Sequence, residues 1–142
     1  VTVAALVERD GRFLLVEEET DDGLRFNQPA GHLDQGESLV AACAREALEE
    51  TAWSFRPTAL VGVYQWPRPT GDITYLRFAF CGELGEHHPG RPLDAGILRA
   101  VWMTPDEIRA SAERHRSPLV WQCVADCLAG RRHPLELITH YG

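Results

Sequence analysis

The sequence predicts an α/β fold, an α/β/α sandwich in which a mixed sheet carries helices on both sides. Three observations predict it. Strand candidates come in antiparallel pairs before and after one strong helix, that helix is two-faced, and further helical segments follow a last short strand. With 142 residues, 44% apolar and 25% charged, the chain has the size and balance of a single globular domain, residues 1–142.

Residues 2–8 (TVAALVE) and 12–18 (RFLLVEE) are β-branched and aliphatic runs joined by Asp10-Gly11, a dipeptide suited to a tight hairpin turn, and predict an antiparallel pair. The acidic stretch 19–23 predicts an exposed loop, followed by a short extended piece at 24–28 and an irregular segment from Pro29. Residues 38–51 (SLVAACAREALEET) are rich in helix formers, with Ser38 placed as N-cap. At about 100° per residue, Val40, Ala44, Ala47, Leu48 and Thr51 share one side and Glu46, Glu49 and Glu50 fall roughly opposite, so one face should pack and the other should be acidic. Strands at 59–66 and 73–84, joined by 67–72 (PRPTGD), predict a second antiparallel pair. A polar connection, 85–96, leads to a strand at 98–103. Thr104-Pro105-Asp106-Glu107 then has the form of a capping box, and residues 117–129 predict a last helix ended by Gly130.

Composition narrows the function. Fourteen basic residues against 21 acidic ones leave a net charge of −7, which disfavours a surface that tracks polymeric nucleic acid. No run reaches the ~18 apolar residues of a membrane-spanning helix, so no membrane partner is expected. Cys43, Cys81, Cys123 and Cys127 form no CxxC pair, which predicts buried thiols and a reduced, cytoplasmic setting. There is neither a G-x-S-x-G elbow nor a GxxxxGK[ST] loop, which sets aside serine-hydrolase and P-loop chemistry.

The chemistry concentrates in the first helix. Glu46 and Glu50 are four residues apart and Glu49 is three from Glu46, so all three carboxylates can reach one volume above the helix. Three anions there repel one another, and Arg45 is the helix's only cation. A bound cation would supply the missing charge, and a hard one such as Mg²⁺ takes carboxylate oxygens. The run is also in register with upstream residues: Gly31, five residues, Glu37, seven residues, Arg45-Glu46, two residues, Glu49-Glu50.

That register resembles the Nudix box, G-x5-E-x7-R-E-U-x-E-E-x-G-U, where U is a bulky aliphatic residue. The resemblance implies a Nudix-type sandwich and an Mg²⁺-dependent hydrolase, with Mn²⁺ as a possible substitute, that cleaves phosphoanhydride bonds by attack of an activated water. It assigns metal binding to Glu46, Glu49 and Glu50 with the Gly31 carbonyl, and a bracing role to Glu37 and Arg45. The general base is Glu46 or Glu50, or a glutamate outside the box, for which Glu83 and Glu86 are the candidates. Two positions depart from the pattern: Ala52 replaces the last glycine and Trp53 the aliphatic residue after it. Alanine in the left-handed conformation that glycine would adopt there costs on the order of 1 kcal/mol.

The segments Asn27–Leu33, Gln65-Trp66, Trp102–Ile108, Arg116–Leu119 and His133–Glu136 extend the likeness, in part to bacterial phosphatases of this family. It implies a monomer acting on a small-molecule diphosphate or triphosphate: nucleoside di- and triphosphates, and the thiamin-pathway compounds hydroxymethylpyrimidine diphosphate and thiamin diphosphate. The alternatives are a pyrophosphohydrolase that clears oxidised nucleoside triphosphates, and a Nudix-fold sensor that binds a diphosphate without cleaving it. Gln28, Trp66 and Arg77 are the candidate substrate-binding residues, ahead of Arg25, Arg68, Phe26, Tyr75 and Phe78. His32 is expected to pack the box loop and His87-His88 to face solvent.

Overall fold

The computed structural model describes residues 1–142. In chain order the elements are β1 Thr2–Leu6, β2 Glu8–Arg9, β3 Arg12–Thr20, β4 Gly23–Asn27, β5 Ala30–His32, α1 Leu39–Thr51, β6 Trp53–Pro67, β7 Thr74–His87, β8 Ile97–Met103, α2 Pro105–Ala110 and α3 Leu119–Leu128. They build the expected α/β sandwich of mixed sheet and helices, with the strands divided between two four-stranded sheets. One has the order β5-β1-β7-β6, with β1 parallel to β7, and in the other β3 pairs with β2, β4 and β8.

The expected pairing of 2–8 with 12–18 is replaced by a split. Every residue from Val3 to Leu6 is buried: Val3 and Ala5 face the core under α1, and Ala4 and Leu6 face the core under α3. A run apolar on both faces needs a sheet covered on both sides, and β1 finds one in the first sheet, between β5 and β7. Only Glu8–Arg9 stay to pair with Arg12–Phe13. The turn between them is the expected one, with Asp10 at φ 53° and Gly11 at φ 76°, both on the positive side that a tight hairpin needs.

Other boundaries shift for similar reasons. Residues 19–23 are not an open loop, because β3 runs through Thr20 and returns over Asp21-Asp22 into β4. Strands β6 and β7 are longer than 59–66 and 73–84; β6 starts straight after α1 and accommodates Pro57 at one of three irregularities in its pairing. The last helix is shorter than 117–129, and Gly130, at φ 83°, follows it. The capping box of α2 is present as read, with Thr104 and Glu107 exchanging bonds of 3.2 and 2.8 Å. All four cysteines are free and buried, and no helix is long and apolar enough to cross a membrane.

Helix α1 is where the packed face differs most from expectation. Its buried residues are Ala42, Cys43, Glu46, Ala47, Glu50 and Thr51, an arc that contains two of the glutamates. Val40, Ala44 and Leu48 lie at its margin, only partly covered. Three small residues, Ala42, Cys43 and Ala47, fit against Val3, Ala5, Leu14 and Phe80 and bring the helix close enough to bury the carboxyls beside them. Ser38 caps the start, accepting from the Ala41 amide at 3.0 Å. Ala52 closes the end in the left-handed conformation, φ 62° and ψ 20°, its amide donating to the Leu48 carbonyl. The termination that glycine provides in the motif is therefore kept, with strain of about 1 kcal/mol offset in part by a buried methyl.

Candidate active site

The path from β4 to β5 carries the chain from one sheet to the other and brings Pro29, Ala30 and Gly31 over α1. The Ala5 amide donates to the Pro29 carbonyl at 2.9 Å, and the Ala30 amide donates to Glu50 Oε1 at 3.0 Å. Gly31 lies against the Glu46 carboxyl so closely that a Cβ there would overlap all three carboxyl atoms. A larger residue at 31 would force the Glu46 carboxyl out of its present position.

Arg45 organises the near side of this cradle. Its Nε and Nη2 grip both oxygens of Glu37, at 2.7 and 3.0 Å, a fork geometry that only a guanidinium offers. Nη2 also donates to the His32 carbonyl at 3.1 Å, and Nη1 donates to Glu46 at 2.8 Å and Glu49 at 3.2 Å. The Glu37 carboxyl is held below its ordinary range, first by its bonds to Arg45 and then by the Asp34 amide. The box loop is thereby fixed to the helix that presents the acids.

Burial acts oppositely on the inner acids. Glu46 is 8% exposed and Glu50 9%. Desolvation raises Glu46 above its ordinary value, with Arg45 pulling it back. Glu50 is pushed up to about 8, foremost by burial, against the Ala30 amide bond; Glu46, Glu18 and Asp94 add repulsion. A carboxyl in that state holds a proton at neutral pH unless a cation is brought beside it.

One acid of the cradle was not anticipated. Asp94 lies in the connection between β7 and β8, where its amide donates to the Glu49 carbonyl at 3.0 Å, and one carboxylate oxygen each from Glu46, Glu49 and Asp94 lie within 4.8 Å of one another. Its only local signal is that it is the sole acid of residues 88–96. The donor set is all hard oxygen and is gathered within reach of a single ion, so these residues fit a hard divalent cation. Glu83, by contrast, pairs with Arg56 at 2.6 Å on an exposed surface, and neither it nor Glu86 joins the group.

Two of the residues expected to bind substrate are sealed inside. Gln28, 1% exposed, donates to the Val120 carbonyl at 2.7 Å and accepts from Arg77 at 2.8 Å, which ties both ends of its amide to interior partners. Arg77, 6% exposed, is engaged by Gln28 and by Asn27 at 3.0 Å. Both read as contacts from their place in the sequence, Gln28 near the box and Arg77 on a candidate sheet face. Trp66 is half-buried, stacked on Tyr75 at 5.9 Å between ring centres in the outer part of the β6–β7 ribbon. His32 takes part through its carbonyl. His87 faces solvent as expected while stacking on Trp53 at 4.6 Å, and His88 is partly covered and bonds Ser54 at 2.9 Å.

Comparison with known proteins identifies the family and the fold. The family model described as NUDIX domain matches residues 1–122. Phosphatase NudJ of Escherichia coli strain K12 is 42% identical over 141 residues, covering 99% of this chain and 91% of the relative. A solved NUDIX hydrolase from Nitrosomonas europaea superposes with a TM-score of 0.95 at 50% identity, over 99% of this chain and 95% of that one. The E. coli ORF135 protein, at 22% identity and a TM-score of 0.70 over 92% of this chain and 89% of its own, shares the fold.

Proposed function

This chain belongs to the Nudix hydrolase family, and from that membership we propose that its preferred substrates are nucleoside di- and triphosphates, hydroxymethylpyrimidine diphosphate and thiamin diphosphate, with Mg²⁺ or Mn²⁺ as the metal. The coarser statement needs no proposal: it is an enzyme, a NudJ-like phosphatase acting on small-molecule phosphate anhydrides. The observation that carries the mechanism is the cradle of Glu46, Glu49 and Asp94 beneath Gly31.

In this reading Glu46, Glu49 and Asp94, with the Gly31 carbonyl and Glu50, would hold the metal. When bound, a divalent cation neutralises phosphate oxygens, makes water easier to deprotonate and favours the ionised form of Glu50. Glu50 then accepts the proton of the attacking water at Oε2, because Oε1 is occupied by the Ala30 amide and the other inner acid, Glu46, is engaged by Arg45. The water oxygen forms the new bond to phosphorus, the bridging P–O bond breaks, and its electron pair leaves with the departing phosphate. Arg45 and Glu37 keep loop and helix in register throughout. Trp66 and Tyr75 offer an aromatic surface to the organic part of the substrate.

The test is a phosphate-release panel with Mg²⁺ over nucleoside di- and triphosphates, oxidised nucleoside triphosphates, ADP-ribose, hydroxymethylpyrimidine diphosphate and thiamin diphosphate. Turnover of the thiamin-pathway pair and of common nucleotides is expected. A strong preference for the oxidised triphosphates would replace the phosphatase reading with the sanitising one, and silence across the panel would leave a diphosphate sensor.

A further inference from the structure

Arg77 is a buried guanidinium with no carboxylate partner. Its acceptors are the neutral side-chain oxygens of Gln28, at 2.8 Å, and Asn27, at 3.0 Å, with the Cys123 sulfur at 3.8 Å. None of the ion pairs of the fold includes it. Burying such a charge carries a desolvation penalty that an apolar side chain of similar volume would avoid. What an apolar side chain could not supply is a two-pronged hold on consecutive residues.

Those residues are the start of the passage between the sheets. Arg77 stands on β7 in the first sheet, opposite Thr2 of β1 and Tyr64 of β6; Asn27 ends β4 in the second. Around them the passage is pinned at successive points: Arg116 amide to Phe26 carbonyl at 2.8 Å, Ala5 amide to Pro29 carbonyl at 2.9 Å, and Ala30 amide to Glu50 at 3.0 Å. At Asn27 and Gln28 the side chains are what is pinned, and Arg77 holds both. Pro29 has a restricted φ, so an orientation set at residues 27 and 28 is carried stiffly to Ala30 and Gly31.

We propose that Arg77 is a positioning residue: it ties the two sheets together through Asn27 and Gln28, and so fixes the Ala30–Gly31 backbone against Glu50 and Glu46. This rests on the assignment of those glutamates to metal and catalysis made above. The role differs from binding substrate, and the two predict different behaviour for a lysine, which keeps the charge but cannot reach two acceptors in fork geometry.

The experiment compares wild type, Arg77→Met, Arg77→Lys and Asn27→Ala by amide hydrogen exchange at Ala30 in metal-free protein, by Mn²⁺ titration, and by kcat and KM. Exchange at Ala30 should quicken by about tenfold or more in both Arg77 variants, with Mn²⁺ affinity reduced roughly 10- to 100-fold and the loss falling on kcat. Asn27→Ala, which removes one prong's acceptor and leaves Arg77 in place, should move each readout the same way by less and covers the case in which Arg77→Met does not fold. Wild-type exchange and Mn²⁺ affinity in Arg77→Met with a raised KM, or normal behaviour of Arg77→Lys, would overturn the proposal in favour of a substrate-binding cation. If wild type itself fails to bind Mn²⁺, the metal reading falls, while Ala30 exchange still decides whether Arg77 positions the passage.

Discussion

Replacing Glu50 by glutamine should abolish most activity and at the same time stabilise the metal-free protein. Burial raises the folded-state value of Glu50 from 4.5 to about 8, while in the unfolded chain the group ionises normally. Between those two values the folded state holds a proton that the unfolded state has released, so stability falls as pH rises, by about 1.4 kcal/mol per pH unit. Glutamine mimics the neutral acid, can still accept from the Ala30 amide, and has no proton to lose. The stability gap between Glu50→Gln and wild type should therefore be about 1 kcal/mol near pH 5, about 4 kcal/mol near pH 7.5, and level off near 5 kcal/mol above pH 8. Urea unfolding in the presence of a chelator, at several pH values, measures it. Saturating Mn²⁺ should shrink the gap, because metal binds the ionised wild-type carboxyl, and kcat should fall roughly 10²- to 10⁴-fold. Equal stability of the two proteins at every pH would refute the claim that the fold holds this carboxyl neutral.

Three further outcomes follow from the same geometry. Gly31→Ala sets a methyl into the Glu46 carboxyl; it should cost about 1–3 kcal/mol of stability and lower Mn²⁺ affinity sharply, seen by calorimetric titration. Asp94→Asn keeps the backbone bond to Glu49 and removes a charge that repels Glu46 and Glu50; metal affinity should drop about tenfold or more while the metal-free protein becomes slightly more stable, and a loss of stability would count against its place in the cradle. Glu17 is held below its ordinary value by hydrogen bonds from Arg114 and then Arg99. Its depressed folded value gives stability that is present above about pH 4.5 and lost as pH falls through that folded value, so Glu17→Gln should flatten the acid limb of a thermal-melt series.

What could be read from the residues was local. The Gly31–Glu50 register, the Ser38 cap, the Asp10-Gly11 turn and the Thr104 capping box each lie within a few residues or one helix, where spacing alone carries the geometry. What could not be read needed distant partners. Nothing in TVAAL says that its parallel partner is Arg77–Cys81, some seventy-five residues on, and Asp94 reaches the cradle through one backbone bond to the end of α1. Helical spacing places the glutamates on an outward face, whereas the small side chains of Ala42, Cys43 and Ala47 let α1 settle deeply enough to take Glu46 and Glu50 in with them. Sequence position near the box or on a sheet face likewise does not show that Gln28 and Arg77 are buried and bonded to each other.

The most direct test of the central claim is anomalous scattering from a crystal soaked in Mn²⁺. The account predicts a manganese peak between Glu46, Glu49 and Asp94, beneath Gly31, that is absent from a matched Glu46→Gln crystal. A peak held elsewhere, or one at this position that persists in Glu46→Gln at full strength, would contradict it.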